Sequence, residues 1–233
     1  WWPDPARPDG LPYLRRDGER NPEFRDGARS GAPRLAALAD AVDALALASW
    51  FLRDGSQYAA HAARLLRAWF LTPETRMNPH LEYGQAIPGR VSGRGIGIID
   101  TTRFVRLVDD VGIVGATAAW SETDQTALVG WFATYLDWLL ASDHGRAECA
   151  ARNNHGTWYD AQVASYALFV GREDLARRTI ANSAPQRIAA QITTDGRQPE
   201  ELARTKSFDY SVFNLEAFAA LAAMGRAMGI DLW

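Results

Sequence analysis

Apolar residues recur every three to four positions through most of this chain, and no apolar/polar alternation persists for more than four residues. That spacing restricts the fold to helices packed on helices. Leu35, Leu38, Val42, Leu45 and Trp50 mark one helical face that starts at Pro33 and stops at the Asp54-Gly55 break. A second helix is expected from Ser56, with Tyr58, Ala62, Leu65, Leu66, Trp69 and Phe70 on one side and Pro73 beyond its end. The same pattern predicts helices over 100–114, 121–141, 155–170, 173–191 and 207–228, the 121–141 helix opening on a Ser121/Asp124 capping box. Seven helices in consecutive hairpins, separated by turn-rich stretches at 72–99 and 192–206, fit an all-α fold of the α/α toroid type, closed or open. A simple four-helix bundle would not need those two long loops. The 142–152 linker is too short to divide domains, so 1–233 is expected to be a single domain.

Before Pro33 the chain is rich in Pro, Gly, Asp and Arg and reads as an ordered arm; Trp1, Trp2 and Tyr13 are expected either to pack on the domain or to stack on sugar rings. A net charge of -3 argues against wholesale binding to nucleic acid. Lys206 is the only lysine beside many arginines, whose planar fork suits carboxylates. No apolar run is long enough to span a bilayer, so no membrane partner is expected. The chain opens at Trp1 with no basic-then-apolar segment, so any secretion signal is expected outside these residues. Cys149 has no partner cysteine and reads as a small buried residue.

The densest chemistry is Asn153-Asn154-His155-Gly156-Thr157-Trp158-Tyr159-Asp160, where a polar loop hands over to an apolar helix. The bland alternative is a polar cap, with Asn153 or Asn154 capping and His155 and Trp158 satisfied in the core. A second polar focus, Gln198-Pro199-Glu200-Glu201-Leu202-Ala203-Arg204-Thr205-Lys206-Ser207-Phe208-Asp209-Tyr210, leads into the last helix. His155 and Tyr210 thus both lie at helix starts, where unpaired amides and the dipole favour an anion. Four scattered histidines without i, i+4 spacing make zinc improbable. Gly93-Arg94-Gly95-Ile96-Gly97 lacks a preceding strand and the glycine spacing of a dinucleotide loop. No cofactor and no metal are expected. Glycoside hydrolysis by paired carboxylates remains a rival, with Asp100, Asp160, Glu200 and Asp209 as candidate acids.

The set Asn154, His155, Arg204 and Tyr210 matches β-elimination from a uronate. Removing the proton at C5 leaves a carbanion that must spread into the neighbouring carboxylate, which therefore has to be neutralised. Asn154, His155 and Arg204 supply an amide, an imidazole and a guanidinium, and a tyrosine near a positive charge can exchange the proton. In the loop, Gln85, Arg90 and Arg94 are expected to line the cleft.

Together these residues resemble the alginate lyase superfamily of polysaccharide lyases, which act on polymannuronate and, in related branches, on glucuronan. The likeness extends to Trp1-Trp2-Pro3-Asp4, Met77-Asn78-Pro79, Gln85-Ala86-Ile87-Pro88-Gly89-Arg90 and Gly93-Arg94-Gly95-Ile96-Gly97-Ile98-Ile99-Asp100. It implies an α/α toroid that lacks helices upstream of the tryptophan pair, a secreted or periplasmic location and an anionic polysaccharide as substrate. It also implies that Asn154, His155 and Arg204 grip the substrate carboxylate while Tyr210 is the catalytic tyrosine. Asn153, Trp158, Tyr159, Gln85, Arg90, Arg94 and Lys206 are expected to contact substrate, Trp158 more as packing than as a stacking platform. Tyr159 and Asp160 are expected to orient His155. The rivals are an inverting glycoside hydrolase on a similar toroid and a polysaccharide-binding module without catalysis.

Overall fold

The structure is a computed structural model that describes residues 1–16, 19, 21–24 and 30–232. Parts of the N-terminal arm, at 17, 18, 20 and 25–29, and Trp233 lie outside the described residues. It is an all-α α/α toroid; among the described residues β pairing is limited to the isolated bridges Trp2↔Leu14 and Ile87↔Val91.

Helix α1 (Ala32–Phe51) pairs with α2 (Ser56–Leu66), which runs on through a π turn, Arg67–Leu71. A 3-10 segment, Gly95–Thr101, leads into α3 (Phe104–Gly115), which packs on α1. After α4 (Glu122–Ala141) comes α5 (Asp143–Cys149), and α6 (Asn154–Phe169) then threads the middle of the molecule. Helix α7 (Glu173–Ser183) passes through a second π turn, Ala184–Ile188, into α8 (Ala189–Gln191). A short α9 (Pro199–Leu202) precedes α10 (Ser207–Ala227), which packs on both α6 and α7. No helix among the described residues is long and apolar enough to cross a membrane.

The linker expected at 142–152 is instead largely α5, because Ser142 accepts Gly145 N–H at 2.9 Å and starts a new helix directly after α4. Likewise the polar stretch before Asp100 ends in the 3-10 segment. Its glycines serve close packing of backbone: a Cβ on Gly97 would lie 2.7 Å from the Gly84 backbone, so the 84 turn can cross the segment only there. The capping box is present, with Asp124 N donating to Ser121 Oγ at 3.1 Å and Ser121 N to Asp124 Oδ2 at 3.0 Å. Arg67 also forks onto Asp124 at 3.0 and 2.7 Å, pinning the α2 end to the α4 start.

Helix α6 is buried on every side from Gly156 to Ala167, and α3, α4, α5, α7 and α10 all pack against it. Such a helix needs side chains that satisfy each other as well as apolar ones. Gln162 and Tyr166 supply them, joining Thr101 and Tyr135 in a closed network with Thr101 Oγ1 to Gln162 Oε1 at 2.7 Å. Around it Phe70, Phe104, Trp131 and Phe132 pack edge to face, with Phe70 and Trp131 centroids 4.8 Å apart.

One core carboxyl has an oxygen without a partner among the described residues. Asp110 on α3 is 3% exposed, and its Oδ2 has no hydrogen-bond partner among the described residues. Burial, reinforced by the Asp43 carboxylate and only partly opposed by Arg106, pushes its carboxyl up to about 7. A raised folded value favours the protonated form in the native state, so its contribution is complete below about pH 4 and is lost as pH climbs to about 7. We predict that Asp110→Asn, which never ionises, gains stability relative to wild type between pH 4 and pH 8, by at most about 4 kcal/mol. Denaturant unfolding at the two pH values checks this, and an unchanged difference would refute it.

Candidate active site

Three structural devices assemble the site, and the first is the start of α6. Asn153 is the cap: its Oδ1 accepts His155 N–H at 3.3 Å. Beneath the first turn, Arg187 reaches out of the second π turn and forks onto Asp160 at 2.7 and 3.0 Å, also donating to the carbonyls of Ala151 at 3.0 Å and Cys149 at 2.8 Å. The chain passes over this arginine at Gly156, where a Cβ would fall 2.2 Å from Ala151 O and 2.6 Å from Arg187 Nη1.

The second device is a pair of glutamates, each 1% exposed, that grip the adjacent residues Asn154 and His155. Glu201 on α9 accepts both the backbone N–H of Asn154, at 2.6 Å, and its Nδ2, at 2.8 Å. Glu148 on α5 places Oε1 2.6 Å from His155 Nδ1. Third, a buried amide relay fixes α10 against α6: Thr157 and Asn214 both donate to Gln191 Oε1, and Asn214 also donates to Gln198.

The result is a cavity of about 480 Å³ lined in part by Gln85, Asp100, Asn154, His155, Arg204 and Tyr210. Within it, the Arg204 guanidinium lies 3.9 Å from the centroid of the Tyr210 ring. Arg204 makes no ion pair among the described residues, and the Tyr210 hydroxyl makes no hydrogen bond among them. Asn154 and His155 are thus brought beside Arg204 and Tyr210 although some fifty residues separate the pairs.

A neighbouring cavity of about 610 Å³ shares Ala32, Gln85 and Asp100 with the first, making one groove. Trp1, Trp69, His80, Tyr83 and Arg94 contribute to its walls. Gln85 stands at the junction with a backbone φ of 49°, in the left-handed region that costs a non-glycine residue energy. Arg94 Nε holds its carbonyl at 2.9 Å, and Gln85 Nε2 donates to Asp100 Oδ1 at 3.2 Å. Burial raises the Asp100 carboxyl above the ordinary range, against the pull of Gln85, and burial lowers the Arg94 guanidinium, against Asp100.

Other expected residues lie elsewhere. Arg90 is exposed; its Nε binds the Tyr13 carbonyl at 2.6 Å and its guanidinium sits 5.4 Å from the Trp1 ring centroid, so it anchors the arm and sets Trp1 in the groove wall. Trp158 is 8% exposed, donates to Phe213 O at 3.0 Å and lines an adjoining cavity with Phe213, not the one holding His155. Tyr159 is a core residue whose hydroxyl donates to Leu139 O at 3.0 Å. Lys206 is exposed beside Asp209 at 4.0 Å and is not among the cavity walls. Asp160 binds Arg187 rather than orienting His155; Glu148 takes that place. Cys149 is exposed rather than buried. Asn154 has one amide hydrogen already committed to Glu201, which leaves the other for a ligand. Glu148 and Glu201 were legible only as charges, since nothing in the spacing marks them as buried.

The groove therefore combines a fixed cation, an imidazole and a phenol, a set able to grip an anion and move a proton. Among the described residues no three His, Cys, Asp or Glu side chains gather closely enough to hold a metal ion.

A comparison with curated proteins returns no match. The crystal structure of an alginate lyase from Bacteroides ovatus superposes with a TM-score of 0.92 at 41% identity. That match covers 99% of this chain and 60% of the other, so the chain spans about three fifths of that protein's length. The alginate lyase family model matches residues 1–233. The chain belongs to the alginate lyase family.

Proposed function

We propose that this protein is a polysaccharide lyase that breaks a 1,4-linked polyuronate, polymannuronate or glucuronan, by β-elimination and leaves a 4,5-unsaturated uronate at the new non-reducing end. The observation that carries this reading is the single cavity shared by Asn154, His155, Arg204 and Tyr210. Family membership and the likeness to the Bacteroides ovatus alginate lyase support the reaction class.

In this reading the uronate carboxylate lies against Arg204, His155 Nε2 and the remaining amide hydrogen of Asn154. These donors stabilise the charge that moves onto the carboxylate as C5 loses its proton. Tyr210 takes that proton as a phenolate, whose charge Arg204, stacked on its ring, balances beforehand, and so becomes a neutral phenol. The same phenol then protonates the departing O4, which lies on the same ring face in mannuronate and glucuronate. Trp1, Tyr83, Gln85 and Arg94 hold neighbouring sugars along the joined groove. Polyuronates are polymers of the cell exterior, so a secreted or periplasmic location goes with this reading.

Incubation with polymannuronate, glucuronan and polyguluronate should raise absorbance at the unsaturated-uronate band with at least one of the first two. New reducing ends without that absorbance would instead identify a glycoside hydrolase using Asp100, and binding without turnover a carbohydrate-binding module.

A further inference from the structure

We propose that Glu148 is a positioning residue of this site: its buried carboxylate fixes the His155 ring and serves as counter-ion while that ring grips the substrate's carboxylate. The inference deepens the lyase reading and rests on it. Glu148 is 1% exposed, and its Oε1 lies 2.6 Å from His155 Nδ1. A carboxylate this deeply buried is costly unless a hydrogen-bonded partner shares its charge, and His155 is that partner. Helix α5, which carries Glu148, cannot easily drift. Gly145 in its first turn approaches the end of α4 so closely that a Cβ would lie 1.8 Å from Leu139 O.

The geometry has a consequence for the proton on the ring. A carboxylate can only accept, so Nδ1 carries the hydrogen of this bond and Nε2 is the nitrogen left for the cavity. For Nε2 to donate to a uronate carboxylate, both nitrogens must be protonated. The ring is then a cation between two carboxylates, one fixed and one arriving. Other ionisable groups near the pair are Asp100, from the 3-10 segment, Arg94 ahead of it, and the phenol of Tyr135 on α4. Asp100 Oδ1 is engaged by Gln85, and among the described residues Glu148 is the ionisable group hydrogen-bonded to the ring. Without the glutamate the imidazole is free to turn and has no counter-ion, and the carboxylate of the substrate meets one cation, Arg204, instead of two.

The test is histidine-selective nitrogen NMR of the whole chain, with and without saturated mannuronate or glucuronate monosaccharide, beside steady-state kinetics of Glu148→Gln. Free wild-type protein should show His155 protonated on Nδ1, and the uronate should bring protonation of both nitrogens. In Glu148→Gln the Nδ1 preference should vanish. Its kcat/KM should fall on the order of 100-fold, mostly through kcat, because the carboxylate gains charge toward the transition state. A wild-type ring protonated on Nε2 alone overturns the proposal, as does a folded variant within about threefold of wild-type kcat/KM. Should Glu148→Gln not fold, the wild-type ring signal decides. If wild type cleaves no polyuronate, the lyase reading fails while the free-protein NMR still decides whether Glu148 holds the ring.

Discussion

Tyr210→Phe is expected to stop turnover while leaving the affinity for uronate oligomers nearly unchanged. The substitution removes one oxygen, the atom proposed to take the C5 proton and to return one to O4. Losing a general base and a general acid together should lower kcat by at least about 10³-fold. Binding should survive because the ring remains. Arg204 stacks 3.9 Å from the ring centroid, and a phenyl face still supports that contact. The hydroxyl makes no hydrogen bond among the described residues, so its removal leaves no buried partner orphaned. Initial rates by absorbance, with calorimetric binding of an oligomer too short to be cleaved, separate the two effects. A variant that keeps more than a few per cent of the wild-type rate would place the base elsewhere.

Tyr210 and Arg204 could be singled out from the sequence alone because a helix start and a polar loop leave local marks. The helices themselves were legible for the same reason: Leu35 to Trp50 and the Ser121/Asp124 box are short-range patterns that the structure reproduces as α1 and α4. Segments that depend on distant partners were not. Helix α5 has only seven residues and no stripe of its own; it exists because it fits against α4 and the 3-10 segment. Glu148 and Glu201 look like ordinary solvated acids, and only the arrival of His155 and Asn154 makes their burial tolerable. Trp158, expected more as packing than as a stacking platform, and Tyr159, expected among the substrate contacts, are both buried in the structure for a related reason. A helix buried on all sides commits its large residues to packing, even beside a functional turn. Whether 1–233 acts as one domain is a proposal that limited proteolysis would test.

The buried arginine beneath that turn leads to the second large effect. Arg187→Met should lower stability by about 3–5 kcal/mol, because it strands the largely buried Asp160 carboxylate without its ion-pair partner. It also removes the donors to the carbonyls of Cys149 and Ala151, which anchor the loop leading into the Asn153 cap. For a chain of this length a loss of that size lowers the melting temperature by roughly 10 °C. Adding Asp160→Leu to Arg187→Met should recover part of the loss, since no uncompensated charge then remains, whereas Asp160→Leu alone should be nearly as harmful as Arg187→Met. Recovery should not extend to catalysis. The two carbonyls stay unanchored in the double variant, and the Asn154–His155 turn that they support would sample orientations in which Nε2 misses the substrate. Thermal unfolding and kinetics on the three variants read the two effects separately. A single variant within about 1 kcal/mol of wild type would mean that the Asp160–Arg187 pair adds little and that Glu148 and Glu201 hold the turn by themselves.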